Sequence, residues 1–149
     1  MGMDKVKLKP YDMQIIKALL ENSEAPLYLI AQRLGMHPST VAYRVKKLKE
    51  MGAIRKFTIS VDWRKLGKET EVAVLINSLP KNIMLVAEKL SSFEEVIELH
   101  SLTGLYDMLA MVTLTNMDEY REFVKMKLGT IEEIENYHAA IVLEDFKEE

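Results

Sequence analysis

Residues 36–52 read MHPSTVAYRVKKLKEMG. Proline at the opening of a helical pattern is tolerated because its missing N–H would be unpaired there anyway, so Pro38 predicts a helix start. At 100° per residue, Val41, Val45 and Leu48 fall on one face and are expected to pack inward. Ser39, Tyr43 and Lys46 fall opposite them, with Thr40, Arg44 and Lys47 along one flank. The chain as a whole carries a net charge of -3, yet this helix is basic, with Glu50 its one acid. A helix meant only for solubility would mix its signs more evenly.

The segments before it sharpen the reading. Ile15, Ile16, Leu19 and Leu20 form an apolar stripe on a helix that Pro10 opens and that should end near Asn22. A second, short helix runs from about Pro26 through Leu27, Ile30, Ala31 and Leu34, with Gly35 as its C-terminal stop. Only Met36 and His37 then separate Gly35 from Pro38. Two short helices joined by so tight a glycine-containing turn are a helix-turn-helix signature. A helix placed this way in a major groove uses hydroxyls such as Ser39 and Thr40 near base edges. A long side chain such as Arg44 would reach guanine or phosphate, Lys46 and Lys47 would lie along the phosphate ridge, and Tyr43 would stand on the same outer face. Neutralising phosphates releases counterions, which accounts for basic charge concentrated here. The plainer alternative is a solvated basic face.

After Gly52, AIRKFTISVDWRKLG alternates Ile54, Phe57, Ile59 and Val61 with polar residues, which predicts a strand with one buried side. Arg55 extends the basic surface. Residues 1–68 hold 14 Lys and Arg against 6 Asp and Glu, a net of +8, while residues 69–149 hold 6 against 17, a net of -11. That asymmetry predicts two domains with different partners, the basic one suited to a polyanion. The expected division is a helix-turn-helix domain over 1–52, a linking strand and hinge over 53–68, and a second domain over 69–149.

The acidic half alternates strands and helices. TEVAVLIN reads as a buried strand that ends at Leu79-Pro80, and residues 82–90 read as a helix with Ile83, Val86, Ala87 and Leu90 on one face. EVIELHSL and YDMLAMVTL are strands, MDEYREFVKMKL a helix and NYHAAIVLEDF a last strand. The order βαββαβ is the ferredoxin-like arrangement, so the fold class is α+β with a winged-helix-like N-terminal part. Between the second and third strands lies TGLYD, residues 103–107. Gly104 permits a positive-φ turn whose N–H groups can cradle a carboxylate, and Asp107 can pair with an α-ammonium. Thr103, Gly104, Leu105, Tyr106 and Asp107 are thus candidates for holding an amino-acid headgroup. The competing reading is a β-turn in which Asp107 only caps backbone. Leu105, where an acid is absent, favours an apolar ligand over a basic one.

The chain has no cysteine, which excludes thiolate metal sites and thiol nucleophiles and fits a reducing, cytoplasmic setting. His37, His100 and His138 show no ligand spacing, so no metal is expected. Motifs for nucleophilic, metal-assisted or phosphate-binding catalysis are absent, and the chain is not expected to be an enzyme or to carry a cofactor. At 48% hydrophobic and 29% charged it should be globular, with no run long enough to span a membrane.

The chain resembles the Lrp/AsnC (leucine-responsive, feast/famine) transcriptional regulators over essentially residues 8–146. The resemblance rests on Leu34-Gly35, Ser39-Thr40-Val41, Arg44, Leu48, Gly52, Ile54, Gly67, Thr103-Gly104 and Tyr106-Asp107. It implies an N-terminal domain that binds operator DNA and a C-terminal RAM domain that dimerises, assembles into tetramers or octamers and often binds a small effector, usually an amino acid. Three departures stand out. His37 replaces the serine that many members place before the recognition helix and is expected to be a poorer N-cap. Lys9 follows Leu8 where an Asp is usual. Tyr137 and Ala139 stand near positions where some members carry small hydroxyls that help hold an effector. The expected function is sequence-specific regulation of transcription through double-stranded DNA, with an effector-independent architectural DNA-binding protein as the alternative.

Overall fold

The computed structural model describes residues 7–147. The ends of the two expected domains, 1–6 and 148–149, lie outside the described residues. The chain divides into two compact units, the first reaching Ser60 and the second beginning at Val61. The expected hinge is therefore shared, with 53–60 belonging to the first unit and 61–68 to the second.

The first unit holds α1 (Pro10–Glu21), α2 (Leu27–Leu34) and α3 (Pro38–Glu50). Asp12, in the first turn of α1, accepts the Lys9 backbone N–H on Oδ2 at 2.7 Å. That bond satisfies one of the donors a helix start leaves open, without an acid at position 9. The α1 stripe is narrower than the sequence predicts. Ile15, Ala18 and Leu19 are buried against Ile30 and Ala31 of α2 and Val41 and Val45 of α3, whereas Leu20 is 74% exposed. At the end of α2, Gly35 adopts φ 64. Its N–H bonds Gln32 O and that of Met36 bonds Ala31 O at 2.8 Å. This is the paired 5→2 and 6→1 closure that an αL residue makes available, with Met36 packed against the core. The glycine thereby turns the chain into α3 within two residues.

Residues 53–60 form no strand. Ile54 packs on the helical core and donates its N–H to Leu48 O at 3.0 Å, and Phe57 lies beneath the Lys49 ammonium at 4.7 Å. Ile59 is 81% exposed. The alternation marks a chain shaped for a ladder, but a strand needs hydrogen-bonding neighbours, and none of the described residues pairs with it.

The second unit begins with a 3-10 turn at Arg64–Leu66 and continues β1 (Thr70–Ser78), α4 (Ile83–Ser91), β2 (Val96–Ser101), β3 (Met108–Leu114), α5 (Met117–Met126) and β4 (Ile134–Ile141). The sheet order is β2-β3-β1-β4, each neighbouring pair antiparallel. Strand residues alternate between faces. Val72, Val74 and Ile76 of β1 and Met108, Ala110, Val112 and Leu114 of β3 are buried with Val86 and Leu90 of α4 and Phe123 of α5. This is the ferredoxin-like arrangement the order of elements predicts.

Candidate nucleic-acid interface and ligand loop

α3 begins at His37, whose ring serves as the N-cap. Nδ1 accepts the Ser39 N–H at 3.2 Å and lies 2.7 Å from Ser39 Oγ. The residue expected to be the poorer N-cap does cap the helix: imidazole has one in-plane acceptor, and here it points at the free N–H of the first turn. Val41, Val45 and Leu48 are buried. Ser39, Tyr43 and Lys46 are exposed, while Thr40 and Lys47 are half-buried along the flank. Lys47 Nζ pairs with Glu50 at 3.1 Å and sits 5.6 Å from the Tyr43 ring centroid. Glu50 holds the Lys47 pKa above its ordinary value, chiefly through that hydrogen bond, so the lysine stays a cation. Arg55 is exposed in the segment that follows.

Arg44 is the exception and corrects the sequence reading. It is only 6% exposed. Its Nε donates to Asp12 Oδ1 at 2.8 Å and its Nη2 to Asp12 Oδ2 at 2.6 Å. The guanidinium fork is thus committed to a carboxylate that is itself 1% exposed. Arg44 joins α1 to α3 rather than standing in solvent on the outer face of α3. The Arg44 hydrogen bonds hold the Asp12 carboxyl below its ordinary pKa, against the upward push of burial.

In the second unit, residues 103–107 form the connection between β2 and β3. Gly104 has φ 118, a conformation that L side chains rarely adopt. Thr103 and Leu105 are exposed, Leu105 by 88%. Tyr106 meets the His138 ring edge-on with centroids 5.6 Å apart. Asp107 caps backbone, but across strands: its Oδ2 accepts the Ser78 N–H at 3.0 Å, where β1 changes register against β4. Ser78 Oγ donates in turn to Glu133 O at 2.8 Å, tying the turn to the segment entering β4. That segment, with Leu128, Ile131, Ile134, Asn136 and Tyr137, lines a cavity of about 340 Å³, in the size range of small-molecule sites. Sequence reasoning missed Ser78 and Asn136, because a polar residue in a strand gives no sign of which neighbour it will meet.

Among the described residues no group of acidic, histidine or cysteine side chains could hold a metal ion, and no helix is long and apolar enough to cross a membrane.

A three-helix unit with a tight turn before a partly basic third helix, followed by a four-stranded antiparallel sheet packed on two helices, is the architecture of a two-domain helix-turn-helix regulator. The comparisons place it within that class. Residues 8–55 match a winged helix-turn-helix DNA-binding family and residues 71–149 the Lrp/AsnC ligand binding domain. The chain belongs to the Lrp/AsnC family of transcriptional regulators. It is 37% identical to the HTH-type transcriptional regulator FL11 of Pyrococcus abyssi, over 97% of this chain and 95% of that one. It is similar to the solved structure of E. coli AsnC, with a TM-score of 0.87, 28% identity and 96% and 97% of the two chains covered. It shares its fold with a Neisseria meningitidis transcriptional regulator, NMB0573, solved as an L-Met complex, with a TM-score of 0.88 at 21% identity over 95% and 94% of the chains.

Proposed function

We propose that this regulator binds specific operator sites in double-stranded DNA through the exposed face of α3, using Ser39, Thr40, Tyr43, Lys46 and Lys47 with Arg55 beside them. It acts as a dimer or a higher assembly, and it responds to an amino-acid-like effector at residues 103–107. The observation that carries the DNA reading is the division of α3 into two faces: Val41, Arg44, Val45 and Leu48 are buried while Ser39, Tyr43 and Lys46 stand in solvent. Hydroxyls and an aromatic at the N-terminal end, with lysines further along, match what groove reading and phosphate contact require. Two copies would place two α3 helices on half-sites about one helical turn or a multiple apart.

The effector reading rests on Gly104, on the single carboxylate of Asp107 at the turn, and on the matched ligand-binding domain. The L-Met complex of a protein with the same fold makes apolar amino acids the first candidates, in keeping with exposed Leu105.

The test is selection of operators from a random duplex pool with the full-length protein, followed by affinities for selected and scrambled duplexes across a salt series. Specific regulators favour their sites by roughly a thousandfold or more. A ratio near unity with steep salt dependence would instead make this an effector-independent architectural binder.

A further inference from the structure

Two hydrogen bonds at the start of α3 fix the polarity of a side chain on its exposed face. A backbone amide can only donate, so the Ser39 N–H at 3.2 Å from His37 Nδ1 requires Nδ1 to be an unprotonated acceptor. With Nδ1 accepting that N–H, the ring N–H lies at Nε2. The same Nδ1 lies 2.7 Å from Ser39 Oγ, and with Nδ1 as acceptor the serine hydroxyl donates to it, sharing the one lone pair with the longer bond from the Ser39 N–H. Ser39 has one hydroxyl proton, and that proton is spent inside the protein. What Ser39 turns outward is a pair of acceptor lone pairs.

We infer that His37 is a specificity-positioning residue that makes Ser39 an acceptor-only reader, directing it to an amino-bearing base edge in the major groove. The inference rests on the α3 recognition reading above. Cytosine N4 and adenine N6 present donors in the major groove, whereas guanine O6 and N7 and thymine O4 are acceptors, as are phosphate oxygens. A free serine would be indifferent, since its hydroxyl can rotate to donate or accept. The locked one faces repulsion from guanine, thymine and phosphate. No other side chain competes for the ring among the described residues. Arg33 of α2 is paired with Glu21, Arg44 with Asp12 and Lys47 with Glu50.

The experiment uses the full-length protein and the operators it selects. The position that Ser39 reads is the one whose base preference is lost in Ser39→Ala. The wild type is expected to prefer A or C there, by about tenfold, the discrimination one good base contact supplies. His37→Gly keeps a serviceable N-cap but frees the hydroxyl, and should let G and T be accepted at that position alone. His37→Asn offers an amide oxygen able to accept both the Ser39 N–H and hydroxyl, and should restore the A or C preference. In a Ser39→Ala background, His37→Gly should change no base preference. The inference is overturned by a G or T preference at the Ser39 position, by no position responding to Ser39→Ala, or by His37→Gly acting equally without the serine. Absence of any selected operator would remove the recognition reading itself, and this inference with it. That outcome is told apart from the others by the wild type alone.

Discussion

Arg44 and Asp12 stand 32 residues apart in the chain and meet as a buried two-pronged ion pair, Nε to Oδ1 at 2.8 Å and Nη2 to Oδ2 at 2.6 Å. The same Asp12 caps the start of α1 through Oδ2. One carboxylate thus fixes the beginning of the first helix and the middle of the third. α3 is held against α1 by charge as well as by Val41 and Val45.

Arg44→Ala is expected to destabilise the first unit by about 3–5 kcal/mol, because Asp12 would remain charged, buried and short of two partners. Denaturant unfolding followed by a probe in residues 7–60 measures it. Loss of DNA affinity in this variant should track the unfolded fraction and vanish at low temperature. The double change Arg44→Met with Asp12→Leu removes both charges and should recover most of the stability. A fully stable Arg44→Ala with weakened DNA binding would put the side chain back in the groove.

The pair also sets an acid limit. Asp12 titrates below its ordinary value of 3.8, chiefly because Arg44 bonds its charged form. A carboxyl with a depressed folded pKa contributes stability that is fully present above its unfolded value. That stability is lost as pH falls below 3.8 through the folded value, since the unfolded chain takes up the proton first. Unfolding free energy measured from neutral pH downward should fall in that window in the wild type. The part due to Asp12 should be absent in Asp12→Asn, which begins from a lower plateau.

The misplacement of Arg44 shows where sequence reasoning runs out. At 100° per residue it lies only roughly 60° from Val41, inside the arc that the core covers. Its charge pointed to solvent, and the carboxylate that makes burial tolerable is too distant in sequence for any helical spacing to reveal. Gly35, by contrast, was readable, since a stop only two intervening residues ahead of Pro38 leaves room for little except a tight turn. The four strands of the second unit were legible for the same local reason, alternation or unbroken apolar runs bounded by turns. The segment 53–60 alternates equally well, yet pairing is a property of neighbours, and alternation carries no information about whether a neighbour exists. At residues 103–107 the positive-φ glycine was legible, while the use of Asp107 to hold Ser78 depended on a contact across strands.

Lys46→Ala and Tyr43→Ala separate phosphate contact from base reading. Both side chains are exposed, so each variant should keep its unfolding free energy within about 0.5 kcal/mol. Lys46→Ala is expected to weaken binding to selected and scrambled duplexes alike and to lower the slope of log affinity against log salt by about 1. Tyr43→Ala should weaken the selected duplex more than the scrambled one. Fluorescence anisotropy titrations at several salt concentrations read both quantities, and identical behaviour of the two variants would remove the division of labour.

The bond Asp107 makes to Ser78 and the ligand contact proposed for it are separable by one substitution. Its carboxylate accepts the Ser78 N–H at 3.0 Å, a bond an amide oxygen can also accept, whereas pairing with an α-ammonium needs the negative charge. Asp107→Asn should therefore keep the unliganded protein close to wild-type stability while abolishing any response to amino acids. Thermal unfolding of the full-length wild type with each standard amino acid in excess supplies the response. A ligand of the native state adds about 2.7 kcal/mol at a hundredfold excess over its dissociation constant. A shift that is present in the wild type and lost in Asp107→Asn assigns the ligand's ammonium to this turn. A shift retained in Asp107→Asn moves the ligand away from this carboxylate, and the cavity beside Tyr137 becomes the place to look. If Asp107→Asn instead lowers the unliganded stability severely, the charge of Asp107 belongs to the fold and the headgroup assignment fails.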